Sequence, residues 1–139
     1  MVVVTFTVPG SPVAKGRARA FKRGNHIGHY TPATTANYEN LVKLVAVDGM
    51  KGKQIITGSA SVTLDLFFQI PGSWSKKKKV AALNGDIRPT VKPDIDNICK
   101  ALCDAVNGIV WQDDKQVVEM VIGKYYSDKP CAVVWVVGI

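Results

Sequence analysis

Residues 92–117 read KPDIDNICKALCDAVNGIVWQDDKQV and combine a helical period with five acidic side chains. After Pro93 the apolar residues recur every three or four positions, which predicts an amphipathic helix with one buried stripe and one polar face. The predicted stripe consists of Ile95, Ile98, Cys99, Leu102, Ala105 and Val106. Asn107 and Gly108 then end the helix, because both residue types favour the backbone conformation that follows a helix C-terminus.

Acidic residues lie on both sides of this helix. Asp94 and Asp96 flank its start, and Asp114 precedes a strand that is predicted over 116–126. A hairpin-like return of the chain can bring Asp114 back beside Asp94 and Asp96. Unshielded carboxylates about 4 Å apart repel by roughly 4 kcal/mol per pair at an effective dielectric of 20, so such a cluster requires protons or a cation. The pattern therefore predicts a divalent metal site.

The ligand type points to Mg²⁺. A few carboxylates that leave open positions for phosphate and water fit this hard ion better than a closed calcium cage. Mg²⁺ lowers the pKa of a bound water, orients it in line with a phosphodiester and neutralises the departing oxygen. Lys100, one helical turn after Asp96, would stabilise the transition-state phosphate or steer the nucleophile. Simpler interpretations are an exposed Asp96–Lys100 ion pair, contributing about 0.3–0.5 kcal/mol, and a capping role for Asp94 or Asp96.

Other acidic residues are weaker candidates. Asp104 and Asp113 are predicted to support the ligands rather than to bind the metal themselves. Asp65, on the polar face of a predicted strand, could approach the metal, although a lone strand carboxylate is more often solvated.

Strands are predicted at both ends of the chain and in its middle. Alternating apolar residues indicate strands at 2–8 and 62–70, and the apolar run 131–137 predicts a buried strand. Residues 11–30 are rich in glycine and basic side chains, and they are predicted to form an extended or mobile arm.

Two further helices are predicted. The first covers about 35–47, with Thr34 or Thr35 as its N-cap. The second lies within SWSKKKKVAALNG, begins at Ser73 or Ser75 and exposes four consecutive lysines. The sequence therefore predicts a chain that contains both helices and strands.

Length and composition limit the classes of protein. The 139 residues suit a single domain, 1–139, and contents of 47% hydrophobic and 21% charged residues are typical of globular proteins. No apolar stretch reaches the ~18 residues that cross a bilayer, and the N-terminus lacks the basic segment of an export signal, so a cytoplasmic protein is expected. The three cysteines suit a reducing compartment and are predicted to be small buried side chains rather than metal ligands.

The net charge of +7 is unevenly distributed. Residues 1–60 contain eight basic and two acidic side chains, whereas seven of the eleven acidic residues lie within 86–119. A basic frame around an acidic centre favours a nucleic acid ligand with a cation between carboxylates and phosphate. The predicted phosphate contacts are Lys15, Arg17, Arg19, Lys22, Arg23, Lys76, Lys77, Lys78 and Lys79. A solvated basic surface is the simpler alternative.

Aromatic and histidine side chains have two interpretations each. Phe21 and Trp74, both near basic runs, could stack on bases at a branch point, although packing anchors are more common. His26 and His29 could carry protons, but their glycine-flanked setting favours ordinary surface or DNA-contact residues. Trp111 is predicted to pack at the base of the turn before Asp114.

Residues 92–117 also resemble the signature of RusA-type Holliday-junction resolvases, in which a K-P-D-x-D-N-x-x-K helix precedes W-x-D-D-x-Q. The similarity extends more loosely over the first strand and the segments VAKGRARAF, HYTPATTANYE and SWSKKKK. This resemblance implies an α+β fold, a small mixed β-sheet packed with two or three helices, in a homodimer that nicks both strands of a junction. It implies Mg²⁺ as the cofactor, with Mn²⁺ expected to substitute, and no organic cofactor. Bacterial, phage or prophage origin is typical of the family.

The resemblance assigns catalytic roles to Asp94, Asp96, Lys100 and Asp114, with the three carboxylates as metal ligands. The sequence therefore predicts a magnesium-dependent, structure-selective endodeoxyribonuclease that resolves four-way junctions, with forks as a further substrate, in DNA recombination and repair. A non-catalytic branched-DNA-binding protein is the first alternative, which the four intact residues disfavour. A magnesium phosphoesterase acting on nucleotides is the second, which the long basic segments disfavour.

Overall fold

The computed structural model describes residues 1–16, 19–30 and 33–139, with only the backbone given for Arg19, Phe21, His29 and Tyr30. The predicted DNA contact Arg17 and the side chain of Arg19 thus lie outside the described residues, as do the side chains of Phe21 and His29. Within this description, no helix has both the length and the apolar character that a bilayer span requires.

Strands and helices alternate irregularly along the chain. In order they are β1 (Val3–Pro9), β2 (Arg19–Arg23), β3 (His26–Tyr30), α1 (Ala33–Gly49), β4 (Ala60–Gln69), α2 (Lys76–Leu83), α3 (Ile95–Ala105), a 3-10 turn (Asp114–Gln116), β5 (Val117–Ser127) and β6 (Cys131–Gly138). Four strands form a mixed sheet in the order β1-β6-β4-β5, in which β4 and β5 are parallel and the other pairs antiparallel. The predicted α+β class is confirmed.

The core lies on one face of this sheet. In β4 every second residue from Ala60 to Phe68 is buried, and Val4, Phe6 and Val8 of β1 continue the same apolar layer. The buried stripes of α1 and α3 cover that layer, because their apolar residues recur with the helical period. The predicted period-two and helical patterns are confirmed for these elements.

The predicted burial of the last strand is only half right. In β6, Ala132, Val134 and Val136 are buried, whereas Trp135 on the opposite face is 53% exposed. Among the described residues, α1 and α3 lie on the core face of the sheet. The apolar side chains on the other face of β6 are therefore not covered by these helices. An apolar run alone does not distinguish these two cases.

One predicted helix cap is confirmed and one is wrong. Ser75 is the N-cap of α2, and its hydroxyl oxygen accepts the Lys78 N–H at 3.2 Å. Helix α1 begins at Ala33, so Thr34 and Thr35 lie inside it and neither is its N-cap. Thr35 is instead buried and links α1 to the preceding segment: it accepts the Gly16 N–H at 2.9 Å and donates to the Ala14 carbonyl at 3.3 Å.

The basic arm contains regular structure. Strands β2 and β3 pair as an antiparallel hairpin that closes between Arg23 and His26. Gly24 has φ +62° in the connecting turn, a conformation that glycine adopts at no steric cost. The segment before the hairpin is attached to α3, where the Lys15 N–H donates to the Asn97 carbonyl at 3.0 Å.

Candidate active site

Helix α3 presents three of the predicted catalytic residues on its exposed side. Asp94 occupies the N-cap position, but its side chain makes no capping hydrogen bond, so its carboxylate is not committed to the helix terminus. Asp96 lies in the first turn and Lys100 one turn later, and all three side chains are exposed. The opposite side of the helix is buried through Ile98 and Leu102, which fixes the orientation of the polar side.

A tight turn leads from α3 towards the 3-10 turn that begins at Asp114, just before β5. The Gly108 N–H donates to the Trp111 carbonyl at 2.7 Å, and Gly108 has φ +80°. Trp111 is 1% exposed, and its indole N–H donates to the side-chain oxygen of Asn107 at 2.6 Å. The predicted position of Trp111 at the base of this turn is confirmed.

Asp113 and Gln116 shape the residues around Asp114. The Asp113 carboxylate accepts the Lys115 N–H at 2.9 Å, and this hydrogen bond holds the pKa of Asp113 below its ordinary value. The Gln116 side-chain oxygen accepts the Asp113 N–H at 3.0 Å, while its amide donates to the carbonyls of Ile56 and Gly58 at 2.8 and 2.9 Å. Asp113 therefore caps the turn that contains Asp114, and its support of a metal ligand stays a prediction. The role of Gln116 was missed, although its spacing from Asp113 matches a capping box.

Three of the four predicted catalytic residues line one groove. Asp96 and Lys100 from α3 face Asp114 and the start of β5 across a concavity of about 440 Å³. The remaining lining is Cys99, Cys103, Val117, Val118, Glu119 and Met120. Asp94 lines a neighbouring concavity of about 220 Å³, together with Ala14, Lys92, Pro93 and Asn97. The fold thus brings Asp114, which lies at the end of the connection from α3 to β5, close to Asp96 near the start of α3.

The structure does not show a preassembled metal cluster. Within the described residues, no three His, Cys, Asp or Glu side chains are grouped so that they could hold one ion. Assignment of the metal to Asp94, Asp96 and Asp114 therefore stays a prediction. The donor chemistry of these three residues fits a hard cation, because all three are carboxylates. Partial burial raises the pKa of Asp114, and the nearby carboxyl groups of Asp104 and Asp113 raise it further. A cation would relieve that repulsion.

Asp104 lies between the groove and the basic arm. Its carboxyl group raises the pKa of Asp114, and its carboxylate is 3.6 Å from the Lys15 ammonium group. Lys15 also forms an ion pair with Glu39 of α1, and this hydrogen bond is the main cause that raises the pKa of Lys15. Lys15 was predicted to contact DNA, but the structure places it between two carboxylates of the protein.

The other predicted DNA contacts lie on two exposed elements. Lys22 and Arg23 are exposed on the hairpin. Helix α2 carries Lys76, Lys77, Lys78 and Lys79, of which the first three are exposed and the last is half-buried. Their contact with DNA stays a prediction.

Trp74 and Asp65 both lie outside the groove. Trp74 packs edge-on against Tyr126 with ring centroids 5.1 Å apart, and the Lys78 ammonium lies 4.0 Å above its ring, as in a packing anchor. Its stacking on DNA bases stays a prediction. Asp65 lies beside Trp135 on the sheet face away from the core, where the two side chains line a shallow concavity. It does not belong to the groove of Asp96 and Asp114.

Two comparisons with known proteins show which family this sequence resembles. A family model described as endodeoxyribonuclease RusA matches residues 9–137. The chain belongs to the RusA endodeoxyribonuclease family. It is also 40% identical over 132 residues to an uncharacterized protein of Bacillus subtilis (strain 168), YqaN, and the alignment covers 94% of this chain and 92% of the relative. The family match includes both sides of the groove and all four predicted catalytic residues, and it indicates DNA as the substrate class.

Proposed function

We propose that this RusA-family protein is a magnesium-dependent, structure-selective endonuclease that resolves Holliday junctions and related branched DNA. The observation that supports this most directly is the shared groove of Asp96, Lys100 and Asp114, with Asp94 in a neighbouring concavity. Carboxylates and a lysine on one exposed groove suit phosphodiester hydrolysis, in which negative charge on the phosphate must be balanced.

Asp94, Asp96 and Asp114 are the proposed ligands of Mg²⁺, with Mn²⁺ as a substitute. The bound ion would activate a water molecule as the nucleophile and act as a Lewis acid on a phosphate oxygen. Lys100, on the same helix side as Asp96, donates to a non-bridging phosphate oxygen and so stabilises charge in the transition state. Asp113 and Gln116 keep the Asp114 backbone in place through the capping hydrogen bonds described above.

A homodimer is part of the proposal. A four-way junction has near two-fold symmetry, so a two-fold protein with one site per subunit can place paired nicks in strands of like polarity. Each subunit contributes its own groove.

The decisive experiment uses a synthetic four-way junction and a linear duplex of the same sequence. We expect the wild type to make paired nicks in the junction only when Mg²⁺ or Mn²⁺ is present, and to leave the duplex intact. In Asp96→Asn, the cleavage rate should fall by about a hundredfold or more. Loss of a metal ligand removes several kcal/mol of transition-state stabilisation, and each loss of about 1.36 kcal/mol lowers the rate tenfold. Junction binding should persist in this variant.

Asp86→Asn is the matched control, because Asp86 is an exposed carboxylate outside the groove. It should cleave like the wild type. Cleavage without a divalent ion, or full activity in Asp96→Asn, would contradict the proposed chemistry. Junction binding without any cleavage by the wild type would instead favour the non-catalytic branched-DNA binder.

A further inference from the structure

The connection between α2 and α3 is attached to strand β5 by one lysine. The Lys124 ammonium group donates to the Val91 carbonyl at 2.6 Å and to the Pro93 carbonyl at 3.1 Å. Lys124 is 31 residues from Pro93 in sequence, so the contact exists only in the folded chain. The Pro93 carbonyl belongs to the peptide group that continues directly into Asp94.

A second contact holds the same connection from the other direction. The Arg88 side chain donates through Nε to the carbonyl of Lys124 at 2.5 Å, and its guanidinium lies 4.0 Å from the centre of the Tyr125 ring. Lys124 therefore donates hydrogen bonds to the connection through its ammonium group and accepts one from it through its backbone carbonyl. Two attachments, at Arg88 and at Val91–Pro93, leave little freedom for the backbone that leads into Asp94.

This attachment matters because the Asp94 side chain has no local restraint of its own. It makes no capping hydrogen bond at the start of α3, and it is exposed. The backbone on either side therefore fixes the point from which this side chain extends. On the helix side the backbone is held by α3, where the Ile98 N–H donates to the Asp94 carbonyl at 3.1 Å. On the other side it is held by Lys124.

We infer that Lys124 is a positioning residue for the metal site, which it serves by fixing the Val91–Pro93 backbone so that Asp94 can join Asp96 and Asp114 around one ion. The inference rests on the proposed function, because it assumes that Asp94 is a metal ligand. The Lys124 ammonium is already occupied by two carbonyl groups and lies beside the Phe68 ring, with 5.1 Å to its centroid. It is therefore a structural donor and not a second phosphate-binding lysine.

Lys124→Met removes both hydrogen bonds and keeps the length of the side chain. Mutation of residues that orient metal ligands through hydrogen bonds typically lowers metal affinity by roughly 10–100-fold. We expect the Kd of metal-free protein for Mn²⁺, measured by electron paramagnetic resonance of the free ion, to rise about tenfold or more. Lys124→Arg keeps donors that can reach the carbonyls and should lose much less. Lys129→Met, on the exposed turn after β5, is the control and should bind Mn²⁺ like the wild type.

Cleavage assays separate positioning from general damage. In Lys124→Met, the Mg²⁺ concentration for half-maximal junction cleavage should rise, while the rate at saturating Mg²⁺ and the junction Kd stay close to wild type. A variant that was merely less stable would not show this split. Should Lys124→Met fail to fold, Arg88→Gln loosens the same connection from an exposed position and should raise the Mn²⁺ Kd to a smaller extent.

The two proposals can fail independently. Equal Mn²⁺ affinity in wild type and folded Lys124→Met, alongside normal magnesium-dependent junction cleavage by the wild type, overturns the positioning role and leaves the proposed function intact. A wild type that binds Mn²⁺ but does not cut junctions overturns the proposed function, and weaker Mn²⁺ binding in Lys124→Met then still supports the positioning role.

Discussion

Asp114 is the residue whose electrostatic setting is most informative. Its pKa is raised from the ordinary value of 3.8, first because burial disfavours the charged form and then because Asp104 and Asp113 are nearby. A carboxyl group with a raised folded-state pKa stabilises the fold below its unfolded pKa, and that contribution is lost as the pH rises through the folded value. In the metal-free protein at neutral pH, ionised Asp114 is therefore a local cost to stability.

The Asp114→Asn variant should show opposite effects with and without metal. Without divalent ions at about pH 7, we expect it to be at least as stable as the wild type, with the advantage disappearing as the pH falls towards about 4. Mg²⁺ at about 100 times its Kd should stabilise the wild type by roughly 2.7 kcal/mol, or about 10 °C in Tm for a chain of this length. Asp114→Asn should gain almost nothing. Thermal denaturation followed by circular dichroism measures both.

Asp86→Asn serves as the control in this experiment, and its Tm should respond to Mg²⁺ like that of the wild type. A metal-free Asp114→Asn protein that is clearly less stable than the wild type at neutral pH would show that the Asp114 carboxylate is not under electrostatic strain. Undiminished stabilisation by Mg²⁺ in this variant would remove Asp114 from the ligand set.

At the level of secondary-structure elements, the connection from α3 to β5 determines the position of Asp114. The turn is held by backbone hydrogen bonds and by the buried Trp111, whose indole N–H has Asn107 as its acceptor. Gln116 then ties the start of β5 to the segment before β4 through two backbone carbonyls. These contacts give the carboxylate a defined position although it lies outside any long helix or strand.

Asn107→Ala should destabilise this connection measurably. A buried N–H that loses its acceptor costs about 1–3 kcal/mol, so the free energy of unfolding should fall by that amount in urea denaturation. Asn40→Ala, on the exposed side of α1, is the comparison and should be neutral or slightly stabilising because alanine favours helices. Unchanged stability of Asn107→Ala would mean that water replaces the asparagine as the acceptor for Trp111.

Over the whole molecule, two separate exposed elements carry the described basic residues that are predicted to contact DNA and are not paired with carboxylates of the protein. The hairpin carries Lys22 and Arg23, and α2 carries the four consecutive lysines. Helix α2 packs beside β5, through Trp74 and Tyr126, and β5 also forms one wall of the groove. The groove lies at the other end of β5, because Tyr126 is six residues beyond Met120, which corresponds to roughly 20 Å along the strand. The lysines therefore flank the same strand as the proposed cleavage site, at its opposite end.

Replacing Lys76, Lys77, Lys78 and Lys79 by glutamine should weaken junction binding and reduce its salt dependence. Each lost phosphate contact lowers the slope of log K against log salt by about 0.9. Fluorescence anisotropy at several salt concentrations measures this slope. Lys43→Gln with Lys53→Gln, both at exposed positions elsewhere on the molecule, is the comparison and should keep the wild-type slope. An unchanged slope in the α2 variant would assign these lysines to the solvated surface.

Local periodicity is sufficient to predict the helices, the strands of the main sheet and part of the site, but not the hairpin of β2 and β3. The spacing of Asp96 and Lys100 places them one turn apart on any α-helix, and alternation in β4 and β1 identifies the core face, because both geometries repeat over a few residues. The resemblance of residues 92–117 to the RusA signature indicates the family through a single continuous stretch of sequence. Neither inference requires a long-range contact.

Tertiary structure alone decides which charged groups meet. It places Asp104 against Asp114, Lys15 between Glu39 and Asp104, and Lys124 under the backbone before Asp94. It also leaves one face of β6 uncovered and keeps Asp94 in a separate concavity from Asp96. These results depend on how α1, α3 and β5 pack together, and residues that are distant in sequence leave no periodic pattern from which such contacts could be predicted.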